Sequence, residues 1–198
     1  MKYAELLDKN SFDKTELLAF AKGNLVEDPP EGGLAQLPAP PFLMFDRVTN
    51  IERGERSGRI TAEFDIQPDA WFFQCHFTND PVMPGCLGVD ALWQLLGFYC
   101  VVNGAVGSGR ALGAKDTEFA GQIRPYDKVV SYNLDIRRFS ILKNSGAAIV
   151  IGHGTVAVDG EVIYKVRDAK VGVFENIAYS EYPDPLAENA KGGLLARD

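Results

Sequence analysis

His76-Phe-Thr-Asn-Asp-Pro-Val-Met-Pro-Gly-Cys-Leu-Gly-Val-Asp-Ala-Leu-Trp-Gln-Leu-Leu-Gly-Phe-Tyr-Cys100 is the stretch on which the reading of this chain turns. From Pro81 to Gly109 the one charged residue is Asp90, set among Leu87, Val89, Ala91 and Leu92. That pattern predicts a helix buried on every side, not one with a wet face. Pro84 suits the first helical position, where its missing N–H is not needed and its fixed φ fits the first turn. Gly85 and Cys86 then offer backbone N–H groups at the positive end of the helix dipole, a place for an oxygen carrying partial negative charge. Asp90 follows roughly 8 to 9 Å further along the axis at ~1.5 Å per residue. On the other flank, His76 ends the aromatic run Ala70-Trp-Phe-Phe-Gln-Cys-His-Phe77, which reads as a strand. A base, an acid and backbone donors are thus grouped close together in sequence.

Working outward, 198 residues with 46% hydrophobic and 24% charged side chains suffice for one well-filled core. A formal charge of −7 argues against nucleic acid or an anionic membrane as the main partner. Cys75, Cys86 and Cys100 are odd in number, lie in apolar sequence and lack metal-ligand spacing, so neither a disulfide framework nor a zinc site is expected. A reducing, cytoplasmic setting fits them. No signal peptide or membrane span is read, since Leu92 to Val102 is too short to cross a bilayer.

Ser11 to Gly23 reads as a short helix capped by Ser11 or Asp13 and stopped by Gly23, covering one end of the core. Glu27 to Pro41 holds five of the eleven prolines and is a linker over the surface. Strands are expected over Phe42–Val48 and Arg59–Ile66, and, beyond a flexible loop at Gly104–Arg110, over Ala114–Ile123, Lys128–Phe139, Ala147–Val158 and Glu161–Phe174. Asp159-Gly160 marks a hairpin between the last two. The glycines of Gly107-Ser-Gly-Arg110 have neither dinucleotide nor Walker spacing. One apolar helix among antiparallel strands makes the chain α+β, a sheet wrapped around a central helix. The divisions are 1–36 for the N-terminal helix and linker, 37–176 for the main domain, and 177–198 for a tail expected to be extended or disordered.

Several of these motifs resemble the β-hydroxyacyl-carrier-protein dehydratases of bacterial fatty-acid synthesis, in particular the β-hydroxydecanoyl-thioester dehydratase/isomerase branch. They are Leu37-Pro-Ala-Pro, Leu43-Met-Phe-Asp-Arg47, Trp71-Phe-Phe-Gln-Cys-His-Phe77, Asp80-Pro-Val-Met-Pro-Gly-Cys-Leu-Gly-Val-Asp-Ala-Leu-Trp-Gln-Leu95 and Arg110-Ala-Leu-Gly113. The resemblance implies the hot dog fold, a homodimer whose sheets join edge to edge, and a catalytic pair of His76 and Asp90, the acid serving the His76 of the other subunit. It also implies that Gly85 offers its N–H to the thioester carbonyl. Asp90 stands where the related dehydratase branch has Glu, which points to the branch that also isomerises.

The chemistry implied is dehydration of a 3-hydroxyacyl thioester. His76 is the expected base at C2, Asp90 the acid kept protonated by its apolar helix, and Gly85 the donor to enolate charge. Isomerisation would move a proton between C4 and C2 of the trans-2-enoyl product to give the cis-3 isomer. No metal or redox cofactor is called for. Acyl carrier protein is the expected partner, with Arg137, Arg138 and Lys143, and Arg124 and Lys128 nearby in sequence, as a basic landing site for its acidic surface. Cys86 is expected to be a small buried residue beside the thioester, and His153 to be structural. Two other readings are a hot dog thioesterase, in which Asp90 activates water, and a non-catalytic acyl-binding module.

Overall fold

A computed structural model describes residues 1–175; the tail read over 177–198 lies outside the described residues. Two short helices, α1 (Tyr3–Asp8) and α2 (Lys14–Ala21), lead into strands β1 (Arg47–Arg53) and β2 (Gly58–Asp65). A one-turn helix α3 (Trp71–Cys75) and the long α4 (Gly85–Val101) follow. Then come β3 (Ser108–Gly113), β4 (Asp116–Phe119), β5 (Val129–Ile141), β6 (Ala148–Val158) and β7 (Glu161–Phe174). The strands make one antiparallel sheet in the order β1-β2-β5-β6-β7-β3, with β4 also on β7, beyond β3.

The sheet curls around α4, whose apolar composition matches its burial: twelve of its 17 residues are buried. Close approach to β6 and β7 depends on glycine. A Cβ on Gly154 would stand 2.6 Å from Leu92 Cδ1, and one on Gly88 would stand 2.9 Å from Tyr164 Cε2. The Asp159-Gly160 turn joins β6 to β7 with φ of 47° and 90°, the left-handed pair that a tight hairpin requires. At the far end of α4, the rings of Phe12 and Phe20 meet Phe98 edge-on at 4.9 and 5.1 Å. Residues Leu6, Phe12, Leu17 and Phe20 therefore belong to the same core as the sheet. Asp13, not Ser11, caps α2, accepting from Glu16 N at 2.9 Å while Glu16 Oε2 accepts from Asp13 N at 3.1 Å.

Several expected boundaries move, each for a local reason. The expected strand over Phe42–Val48 starts only at Arg47, because Phe42 and Met44 bond to the side chain of Gln94 on α4 instead of to a neighbouring strand. Ala70–Phe77 is not a strand; adjacent Phe72 and Phe73 are both buried, which alternation forbids and a helical turn allows. Pro84 is the N-cap with ψ of 128°, so α4 begins at Gly85. The expected loop Gly104–Arg110 is strand from Ser108, because β7 is long enough to pair with β3 along one part and β4 along another. Of Ala114–Ile123 only Asp116–Phe119 is strand. Helix α1 was not foreseen. No helix among the described residues is long and apolar enough to cross a membrane.

Substituting Gly154→Val should overpack the α4–β6 contact and destabilise the fold by about 1–3 kcal/mol. A urea midpoint unchanged from wild type would show that the helix does not rest on this glycine.

Candidate active site

His76 sits at the C-cap of α3, its N–H donating to Phe72 O at 2.9 Å and its carbonyl accepting from Val82 N at 2.8 Å. Its Nδ1 lies 2.8 Å from Val82 O. A carbonyl can only accept, so this bond places the proton on Nδ1 and leaves the Nε2 lone pair free. The ring stacks on Phe77 with centroids 3.9 Å apart, which fixes its plane. His76, Met83, Gly85, Cys86, Phe119 and Tyr164 all line one cavity of about 640 Å³. Gly85 and Cys86 bring first-turn amides that the helix itself does not use. Gly85 has no spare room: a Cβ there would be 2.6 Å from Phe119 Cε1. Cys86, expected to be a small buried residue, is exposed into this cavity; Cys75 is also exposed, and Cys100 is buried.

Asp90 lies elsewhere. It is half-buried and lines a second cavity of about 190 Å³ with Leu37, Trp93, Gln94 and Arg110. Burial raises its pKa above the ordinary carboxylate range, and the Gln94 amide, 2.6 Å away, opposes that rise. Gln94 is itself held, its Nε2 donating to Phe42 O at 2.9 Å and its Oε1 accepting from Met44 N at 3.2 Å. These bonds settle which end of the amide faces Asp90. Sequence reading passed over Gln94. The signal was present, a polar side chain one turn beyond the lone acid of an apolar helix.

Within one chain, then, His76, Gly85 and Cys86 share a cavity and Asp90 does not. Trp93 lines both cavities, and its indole N–H points to Gly113 O at 3.4 Å, at the break between β3 and β4. Gly109, Arg110 and Ala111 of β3 flank the Asp90 cavity, while Thr117 and Phe119 of β4 flank that of His76. Both cavities therefore lie along the β3–β4 edge, which among the described residues pairs only with β7.

The basic residues divide. A bulge in β5 at Arg137 turns the alternation, so that Arg137 and Arg138 are both exposed while Phe139 faces the core and packs edge-on against Tyr99. Lys143 is exposed in the following turn. Arg124, expected to extend the landing site, instead engages Asp80 and donates to Pro81 O at 3.1 Å beside the His76 loop. His153 accepts from Asp168 N at 3.1 Å and lies 3.2 Å from Arg137 Nη1, outside both cavities, in keeping with a structural role.

The model of the FabA-like domain matches residues 37–167. The chain belongs to the FabA-like domain family. Its antiparallel sheet around one long helix is the hot dog fold. Among solved structures this FabA-like chain is similar to the dehydratase heterocomplex ApeI:P from Xenorhabdus doucetiae, at 12% identity and TM-score 0.49, covering 69% of this chain and 84% of that one. It is also similar to a MaoC-like dehydratase from Rhodospirillum rubrum, at 16% identity and TM-score 0.40, covering 61% and 92%. A third is a hypothetical thioesterase with coenzyme A from Streptococcus pneumoniae, at 11% and 0.42, covering 65% and 83%. Likenesses this distant say nothing of substrate.

The raised Asp90 pKa carries a sign. A carboxyl whose folded-state pKa lies above its unfolded value contributes stability that is complete below the ordinary carboxylate range and is lost as pH rises through the folded-state value. The stability of Asp90→Asn relative to wild type should therefore grow as pH rises from the ordinary carboxylate value of about 4 through the raised folded-state value. Urea midpoints that track each other across that range would show that Asp90 ionises without penalty. Gln94→Leu should raise the Asp90 pKa further by removing the opposing hydrogen bond, displacing the same transition to higher pH.

Proposed function

We propose that this protein dehydrates 3-hydroxyacyl thioesters carried by acyl carrier protein to trans-2-enoyl thioesters, and isomerises the ten-carbon product to the cis-3 form, in a cytoplasmic homodimer. The observation that carries this reading is the division of the base and the acid between two cavities along one open sheet edge. If two copies pair their β3–β4 edges antiparallel about a two-fold centred near Ala114, residues 109–111 of one copy fall beside 117–119 of the other. Asp90 of one subunit would then face the cavity of His76 in its partner. Residues 37–176 would form the catalytic unit, and residues 1–36 its cover.

In that site His76 Nε2 takes the C2 proton, and the electron pair moves onto the thioester oxygen, where the Gly85 N–H and its neighbour at Cys86 receive the charge. Return of that pair forms the C2–C3 double bond and breaks the C3–O bond. Asp90, protonated in its apolar setting, gives its proton to the departing hydroxyl, so the leaving group is water. The imidazolium and carboxylate then regain their starting protonation by exchange with solvent. For isomerisation the same Nε2 takes a proton from C4, and the imidazolium returns one to C2, leaving a cis-3 double bond. The chain's net negative charge calls for a local positive surface to receive an acidic carrier, and Arg137, Arg138 and Lys143 are exposed for it.

The test is incubation with 3-hydroxydecanoyl thioester and separation of the products. Trans-2 and cis-3 decenoyl thioesters are expected, with turnover reduced about 10²- to 10⁴-fold in His76→Ala and in Asp90→Asn. Free acid with released thiol would replace this reading with a thioesterase. Mixing the two inactive variants, with exchange of subunits, should restore about a quarter of wild-type activity, since half the dimers then hold one intact site of two. No recovery would place both residues in a site within one chain.

A further inference from the structure

We propose that the N-terminal cover holds the far end of long acyl chains, with Gln36 dividing that compartment from the Asp90 cavity. Between the end of α2 and the proline-rich linker lies a cavity of about 220 Å³ walled by Phe20, Leu25, Val26 and Leu34. Gln36 lines this cavity and also the Asp90 cavity. Its amide lies across the backbone just past α2, where a Cβ on Gly23, at φ of +72°, would meet Gln36 Nε2 at 2.9 Å. The linker is tied down there: Gly33, at φ of +76°, accepts from Gly107 N at 3.0 Å. Gly107 immediately precedes β3, whose Gly109, Arg110 and Ala111 line the Asp90 cavity. The two compartments thus share a wall anchored on both sides.

Size and chemistry identify the occupant. Cavities that take a whole ligand run to about 300–1,000 Å³, so this one suits the end of a ligand whose head is bound elsewhere. Its four apolar side chains suit methylenes and would strip a charged group of water without compensation. The adjoining cavity holds the acid assigned to the hydroxyl-bearing carbon, so a chain running away from that carbon past Gln36 would reach it. This inference rests on the dehydratase reading for the position of the head group. Each methylene seated should strengthen binding about fourfold.

The test compares 3-hydroxyoctanoyl with 3-hydroxytetradecanoyl pantetheine thioesters as substrates. In parallel, Kd is measured for octanoate and tetradecanoate, which does not require turnover. Leu34→Trp, filling the compartment, should lower kcat/KM for the fourteen-carbon substrate about tenfold or more and leave the eight-carbon substrate within about twofold. The two Kd values should change in the same proportion. Gln36→Ala, which needs no extra room, should improve the longer substrate selectively. Equal effects at both lengths, or none, in variants with a wild-type urea midpoint would overturn the compartment and leave the dehydratase standing. Absence of dehydration at either length, with tetradecanoate binding still selectively weakened by Leu34→Trp, would keep the compartment and remove the dehydratase.

Discussion

Everything in this molecule hangs on how closely α4 lies against β6 and β7. A helix that touches a sheet through glycine on both elements brings its axis nearer than side chains would permit, and Gly88 with Gly154 does this here. Close packing buries most of α4, and burial is the main stabilising term for so apolar a segment. Room remains on the open flank of α4, along β3 and β4, and that is where both cavities lie.

Burying α4 imposes a cost at Asp90, the one acid in it. A carboxylate half removed from water has a raised pKa unless a partner compensates, and among the described residues no cation pairs with Asp90. Gln94 supplies one neutral hydrogen bond and uses its remaining groups on Phe42 and Met44. One amide thereby orients the acid and also fixes the segment that enters β1. A cation in its place would have favoured the ionised form more strongly; the neutral donor orients the acid and only in part opposes the rise in its pKa. The His76 ring is held from one side, bonded at Nδ1 to Val82 O, with its other nitrogen left unbonded among the described residues.

Trp93 stands between the two cavities. Its ring stands in both cavities and its N–H reaches the chain where β3 gives way to β4, so the interruption in the edge strand and the partition between half-sites coincide. An interrupted edge strand also presents unpaired backbone groups, which favour pairing with another edge of the same kind. The geometry of the half-sites and the chemistry of the edge therefore point the same way.

The buried helix, the positions of its acid and of the histidine before it, the hairpin at Asp159-Gly160 and the long strands that follow were all legible in the sequence. Each depends on local pattern: periodicity, a turn dipeptide, a lone charge in an apolar run. What local pattern could not supply was any feature set by a distant partner. Phe42–Phe45 looks like a strand, yet its backbone groups are taken by a glutamine fifty residues away. Ser108–Arg110 looks like a loop, yet β7 pairs with it. Cys86 reads as buried, but the cavity beside it exposes it. Arg124 reads as free surface charge, and Asp80 claims it. The sequence by itself determined that one helix is enclosed by a sheet and that a lone acid lies within that helix, because those facts follow from residue type and spacing. Only the tertiary structure decided that base and acid open into separate cavities on one edge, because that depends on which side of Trp93 each side chain falls once the sheet has closed.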